Sequence, residues 1–490
     1  MLKNNLSFIL LSLLSSLGFG APEKPNIVFI LADDLGYGEL GCYGQEKIKT
    51  PNIDQLAAEG MKFNYHYSGA PVCGPARCVL LTGKNLAHAE VRNNGEIKIK
   101  PKGKEKFYGG QTPLSPEAVT IAEVLKEQGY TTGGFGKWGL GATWSTGSPI
   151  KQGFDRFYGY NCQRNAHSFY PAYLDSDEDQ VTINKHPIPG RARQPKGAVL
   201  ADTYRAENYA PDLILGEAVK FIGANKAKPF FLYLPFVEPH LAMQPHQEDI
   251  DKYPKSWDTK PYRGKHGYLP HPRPRAGYAA MITDLDNHVG TIIAKLKAEG
   301  IYDNTLVIFT SDNGATTDNK GGADPQFFNS VNGLRGRKGS AYEGGLRVPM
   351  IVRWKGHIQA GTTNDTVSYF PDWFPTLTHI AGGDVSKSDG IDLVPAFSGK
   401  PVATRDEPMF WEFHGYGGII AVRDGKWKAI RRGIKSKKPK NWELYDIESD
   451  PKETLDLATQ NPERVQRLEK SWLTSRVVNK NFPLPLADKK

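Results

Sequence analysis

The sequence predicts an α/β fold: a large, mixed, mostly parallel sheet flanked by helices, followed by a smaller C-terminal antiparallel sheet with a terminal helix. Three observations lead there. Residues 26–32 and 304–310 are continuous apolar runs rich in β-branched side chains, the pattern of strands buried on both faces. Each run ends in a cluster of oxygen-bearing side chains, Asp33 and Asp34 after the first, Asp312 and Asn313 after the second. Open α/β sheets build their sites at that edge. After about residue 405 the texture changes to short strand-like pieces, which suits a small antiparallel sheet.

The elements follow in order. Residues 1–20 read as a secretory signal: Lys3 begins it, residues 6–17 form a short apolar core, and Gly18, Gly20 and Ala21 supply a small-residue cleavage region. That core is too short for a spanning helix, so the protein is expected to be exported, periplasmic or secreted, without a membrane anchor. Residues 51–60 read as a short helix closed by Gly60, and residues 120–129 as another. Residues 229–234 form a strand that runs into Glu238, Pro239 and His240. Residues 276–299 are amphipathic, with Tyr278, Met281, Ile282, Leu285, Val289, Ile292 and Leu296 on one face. Residues 350–354 are strand-like and 372–381 helical. Strand pieces at 408–413, 418–423, 427–431 and 441–446 precede a last helix at 462–475.

With 490 residues the chain can bury a large core, one large domain and a smaller one, divided here at 21–405 and 406–490. The formal charge of +9 favours an anionic partner. Lys98, Lys100, Lys102, Lys104 and Lys106 alternate, which in an extended segment makes one basic edge, and a second basic cluster runs from Arg431 to Lys440. Export and the lack of a recognisable binding motif disfavour nucleic acid as the partner. Cys42, Cys73, Cys78 and Cys162 fit no zinc pattern and leave room for one disulfide of unassigned pairing.

Adjacent carboxylates at the end of a buried strand repel each other unless a positive group sits between them, and a divalent cation is the natural one. Asp33, Asp34, Asp312 and Asn313 together make a hard, all-oxygen donor set suited to Ca²⁺ or Mg²⁺ rather than zinc. The other chemical landmark is Cys73-x-Pro75-x-Arg77, closed by Leu81, Thr82 and Gly83. Around it, in order, come Asp33-Asp34, Gly136-Lys137-Trp138, Pro239-His240, Ser311-Asp312-Asn313-Gly314, and Lys338 followed by Glu343-Gly344-Gly345 and Val348-Pro349.

This set resembles the type I sulfatases of the alkaline-phosphatase-like superfamily, over residues 25–457. The resemblance implies that a formylglycine-generating maturation enzyme oxidises Cys73 to an aldehyde, which hydrates to a geminal diol. It implies that Asp33, Asp34, Asp312, Asn313 and residue 73 hold a cation, usually Ca²⁺, with Mg²⁺ as the other candidate. Arg77 then holds the formylglycine, while Lys137, His240 and Lys338 grip the sulfate and the leaving oxygen. The implied activity is hydrolysis of sulfate esters, with a sulfated carbohydrate or polysaccharide as partner.

Three positions depart from the family pattern. Gly139 stands where the family has a histidine that serves as base, and His167 is the candidate to replace it. Ala76 replaces a frequent serine, and Glu238 stands where many members carry a histidine, a change expected to bear on substrate choice. His88, Arg92, His414 and Arg423 lie in segments that would line a cleft, with a structural role as the better reading of each. Two other readings stay open: a phosphonate or phosphate ester hydrolase of the same fold, and a non-catalytic binder of sulfated glycans.

Overall fold

The computed structural model describes residues 24–96, 110–385 and 388–488. The signal segment at 1–20 and the alternating lysines Lys98–Lys106 lie outside the described residues. In chain order the strands are β1 (Asn26–Ala32), β2 (Met61–Phe63), β3 (His66–Tyr67), β4 (Thr131–Lys137), β5 (Arg156–Tyr160), β6 (Tyr173–Ser176), β7 (Asp179–Thr182) and β8 (Phe230–Pro235). They continue with β9 (Thr305–Ser311), β10 (Met350–Arg353), β11 (Thr362–Asn364), β12 (Ser368–Tyr369), β13 (Met409–Phe413), β14 (Ile419–Asp424), β15 (Trp427–Arg432) and β16 (Trp442–Asp446).

Ten strands form one sheet in the order β11-β2-β10-β9-β1-β8-β4-β5-β6-β7. Its centre is parallel: β1 pairs in parallel with β8 and β9, and β4 with β8 and β5. Antiparallel pairings of β10 with β9 and of β6 with β5 make the sheet mixed. Every residue of β1 and β9 is buried, as their unbroken apolar runs require. Alternate side chains serve opposite layers. Ile27, Phe29 and Leu31 pack with the helices Cys73–Thr82, Ile121–Glu127 and Trp373–Ala381. Val28, Ile30 and Ala32 pack with the helices Pro51–Ala58, Ala210–Asn225 and Pro274–Ala298. The last of these begins with Pro274 in its first turn, where its missing N–H costs nothing, and ends over Lys295 and Lys297, which suit the negative end of the helix dipole.

β3 and β12 pair in parallel as a two-stranded sheet, and a separate small sheet, β13-β14-β15-β16, is antiparallel throughout. Helix Pro462–Ser475 lays Leu468 and Trp472 on its Phe410, Ile420, Val422 and Leu444. All four cysteines are free thiols. Among the described residues no helix is long and apolar enough to cross a membrane.

Candidate active site

Four neighbouring strands of the large sheet, β9, β1, β8 and β4, deliver their carboxyl ends to one place. The backbone locks these ends together. Asp33 N–H donates to Glu238 O (3.0 Å) and Asp312 N–H to Ala32 O (3.0 Å). Asp34 N–H donates to Asp312 Oδ1 (3.1 Å), and Leu35 N–H to Ser311 Oγ (2.9 Å). Asp34 has φ 68, a left-handed conformation that Asp tolerates better than most side chains.

The Cys73 motif enters from the side as a helix. Val72 is extended, Cys73 opens helix Cys73–Thr82, and all its residues are buried. Asn94 Oδ1 takes up one of the free N–H groups of the first turn, Gly74 N–H, at 2.8 Å. Cys73 Sγ then lies 3.3 Å from Asp33 Oδ1 and 3.4 Å from Lys338 Nζ. Arg77, one turn on, reaches the same spot. Its Nε and Nη2 donate to Asp312 Oδ2 (3.2 and 2.8 Å), and Nη1 donates to the carbonyl of Lys137. Lys137 Nζ donates to Asp33 Oδ2, and Lys338 Nζ lies 2.6 Å from Asp34 Oδ1. His240 Nδ1 bonds Leu241 O at 2.6 Å, so Nδ1 carries the proton and Nε2 faces the cluster, 3.8 Å from Asp34 Oδ2.

The electrostatics follow from crowding without water. Against the cost of burial, Lys137, Arg77 and Lys338 hold Asp33 well below the usual carboxylate range. Burial and the neighbouring Asp33 push Asp312 up to about 7, despite Arg77. Burial lifts the Cys73 thiol to about 12, with Asp33 adding to it. Burial, with Lys137 and Lys338 near, holds His240 neutral against the pull of Asp33. Lys338 stays charged because Asp34, Cys73 and Asp33 outweigh its desolvation.

The donor set fits a divalent cation. Asp33, Asp34, Cys73 and His240 bring ligand atoms within 4.8 Å of one another. Asn313 Nδ2 donates to Asp34 Oδ1 (2.8 Å), while its Oδ1 is buried and meets no donor, an acceptor ready for a cation. Three carboxylates in mutual repulsion and one bare amide oxygen are hard ligands.

The other expected residues fall elsewhere. His167 stacks on His240, centroids 5.2 Å apart and planes at 4°, and burial lowers it to about 2. Glu238 is buried, with Oε1 3.1 Å from His288 Nδ1. His88 pairs with Asp389 (2.7 Å), and Arg92 and His414 both pair with buried Glu412 (2.5 and 3.0 Å). Arg423 is buried over the Tyr67 ring. Each has a structural role. Gln163 also borders the site, unmarked by any pattern in the sequence. A Cβ on Gly139 would lie 2.1 Å from Gln163 Nε2, so this carboxamide fills the space beside Gly139. Gln163 Nε2 is buried without a partner and also borders Gly74. No motif marks it, since it lies in a turn far along the chain from Cys73.

Two family models match this chain: Sulfatase over residues 25–383, and N-sulphoglucosamine sulphohydrolase, C-terminal, over residues 337–478. The chain is 34% identical to human arylsulfatase A over 510 residues, covering 95% of this chain and 90% of that one. It is 32% identical to the N-acetylgalactosamine-6-sulfatase of Canis lupus familiaris, over 86% of this chain and 74% of that one. Among solved structures, Ps i-CgsB is 30% identical with a TM-score of 0.74, covering 93% of this chain and 94% of that one. That protein has also been solved in complex with k-i-k-neocarrahexaose.

Proposed function

Because this chain belongs to the formylglycine-dependent sulfatase family, whose members are sulfuric ester hydrolases, we propose that it removes sulfate esters from a sulfated carbohydrate after export to the periplasm or medium. We take residue 73 to work as formylglycine, made by a maturation enzyme, beside a Ca²⁺ ion (or Mg²⁺) held by Asp33, Asp34, Asp312 and Asn313. One observation carries this reading. Cys73 is fully buried among carboxylates, with its thiol pushed up to about 12, so as a thiol it is no nucleophile, yet Asp33, Lys338 and the Arg77–Asp312 pair converge on it. Such a site supports the reading that position 73 carries a different side chain when it works.

The cation would polarise the sulfate and favour an ionised nucleophile. The hydrated aldehyde would supply one hydroxyl to attack sulfur and a second whose deprotonation lets sulfate leave, an exit that a serine lacks. The chain's own groups do the rest. Arg77, tied to Asp312 and to the Lys137 carbonyl, holds the helix that carries residue 73 against the sheet edge. Lys137 and Lys338 offer fixed positive charge to the sulfate oxygens, where charge accumulates. His240 Nε2 faces the cluster, and the arriving anionic ester favours its protonated form, which gives its proton to the leaving alcohol. His167 remains our candidate for the base that takes up a proton as sulfate departs: it stacks on His240, but burial and the surrounding cations hold its imidazole neutral, so it could serve only once the bound anion offsets those charges. Turnover unchanged in folded His167→Ala would remove that role.

The carbohydrate class rests on relatives: one is named for N-acetylgalactosamine 6-sulfate, and Ps i-CgsB binds a neocarrahexaose. The test is the mass of the peptide bearing residue 73, from protein made with a maturation enzyme, together with turnover of nitrophenyl sulfate and sulfated oligosaccharides. A loss of about 18 Da relative to cysteine, with sulfate released, is the expected result. An unmodified thiol in active protein would overturn the mechanism, and faster release of phosphate than of sulfate would move the activity to phosphate esters.

A further inference from the structure

The small C-terminal sheet sends one residue to the site described above. Between β13 and β14 the chain turns through Gly415, Tyr416, Gly417 and Gly418. Tyr416 is 73% exposed, more than any other large apolar side chain among the described residues. It also has φ 50, a left-handed conformation rare for a bulky residue. An exposed aromatic in a strained backbone points to a use, since neither feature helps the fold.

Its surroundings say which use. A Cβ on Gly339 would meet Tyr416 Cε2 at 2.4 Å, so the ring lies on the backbone next to Lys338, the lysine that touches residue 73 and Asp34. Its phenol lies near enough to Lys338 and Asp34 to feel their charges. On its other flank, a Cβ on Gly415 would meet Asn93 Oδ1 at 2.7 Å, and the next residue, Asn94, holds Gly74. A Cβ on Gly418 would meet Ile434 at 2.5 Å, and Phe413 supports the ring edge-on at 5.7 Å. The loop is therefore seated on both chain segments that flank residue 73, and it offers solvent a rigid aromatic surface.

Resting on the sulfatase reading above, we propose that Tyr416 is the platform on which a sugar ring of the substrate lies while its sulfate sits at residue 73. A rigid ring with an apolar face and a hydroxyl at its tip suits the C–H face and rim hydroxyls of a pyranose, and a fixed backbone spares ordering entropy on binding. The substrate class is then an oligosaccharide or polysaccharide whose sugar carries the sulfate, rather than a simple aryl sulfate.

The test compares matured wild type, Tyr416→Ala, Tyr416→Gly and Tyr416→Phe on nitrophenyl sulfate and on a panel of carrageenan and glycosaminoglycan hexasaccharides. Tyr416→Gly keeps the positive φ without strain and so separates loss of the ring from loss of the loop. The Ala and Gly variants are expected to raise KM for the hexasaccharide by at least about tenfold more than KM for nitrophenyl sulfate, with kcat changed less than KM. The Phe variant, keeping the aromatic face, is expected to stay within about threefold of wild type on the hexasaccharide. Equal losses on both substrates would overturn the proposal, as they would mark a disturbed Lys338 segment. A Phe variant as impaired as Ala would also overturn it, and so would a wild type that turns over nitrophenyl sulfate but no hexasaccharide. A wild type that releases sulfate from neither substrate would instead sink the sulfatase reading itself.

Discussion

Arg77 does with one planar group what no lysine can. Its Nε and Nη2 hold Asp312 while Nη1 holds the Lys137 carbonyl, so one guanidinium ties the residue 73 helix to β9 and to β4. Arg77→Lys keeps the charge but has one nitrogen for three bonds. It is expected to lower kcat roughly 10²–10³-fold, the range for losing one fixed electrostatic contact, while circular dichroism stays native. Gly139 and Gln163 test a different kind of dependence. A side chain at 139 would collide with Gln163 and sit at φ +84. Gly139→His alone should cost about 1–3 kcal/mol by overpacking. Adding Gln163→Ala should return about 1 kcal/mol or more, a coupling that urea denaturation of the four proteins measures. Additive costs would mean that the two residues do not compete for one space. The sequence shows the gap at 139 and offers His167 for the missing base, but it does not show that Gln163 fills the space. Proximity across a turn of the fold leaves no trace in spacing.

At the scale of elements, legibility followed burial. β1 and β9 are buried on both faces, and such strands must be apolar along their whole length, so their limits were readable to within a residue. The helix Pro274–Ala298 was readable because its apolar face recurs at helical period. β7 is exposed along its whole length, and its Asp179, Gln180, Val181 and Thr182 carry no pattern to read. The helical form of the Cys73 segment was hidden too, since a helix buried on every side has no polar face to set its period. The turn after β1 adds a pH dependence. Glu39 Oε2 accepts Gly36 N–H (2.6 Å) and Oε1 accepts the Tyr278 hydroxyl (2.8 Å), and burial pushes Glu39 up to about 7. The folded state therefore keeps a proton on Glu39 that the unfolded chain releases near 4.5. Stability from this group is present below that value and is lost as pH rises toward about 7, by an order of ~3 kcal/mol in all. Glu39→Gln, which never ionises, should flatten that decline, seen as a melting-temperature difference from wild type that grows in the variant's favour from about pH 5 to 8. A difference that stays constant with pH would show that Glu39 does not titrate in this window.

Over the whole molecule, the small sheet and the active site share one buried ion group. Lys428, on β15, lies 2.8 Å from Glu343 Oε1 and 3.0 Å from Glu453 Oε1, and none of the three side chains is exposed. Glu343 opens the short helix Glu343–Leu346, and its other oxygen accepts the Tyr67 hydroxyl (2.6 Å) from β3. The helix closes the loop that begins at Arg335, since Gly344 N–H donates to Arg335 O (2.7 Å), and Lys338 lies within that loop. Lys428→Met would leave two buried carboxylates with no cation between them, an error that costs about 3–5 kcal/mol when one partner of a buried pair is removed. Burial already lifts Glu453 to about 7, so at acidic pH it can take a proton and relieve part of this cost. The destabilisation of Lys428→Met should therefore be smaller near pH 5 than near pH 8. Since the same group anchors the Lys338 loop, activity in urea should be lost at the unfolding midpoint of the small sheet, not after it. Lys428→Arg, which keeps a cation on both carboxylates, should recover most of the midpoint. Matching tryptophan fluorescence and turnover against urea for the three proteins decides the point: an active large sheet that outlasts an unfolded small one would show that the site stands without its neighbour.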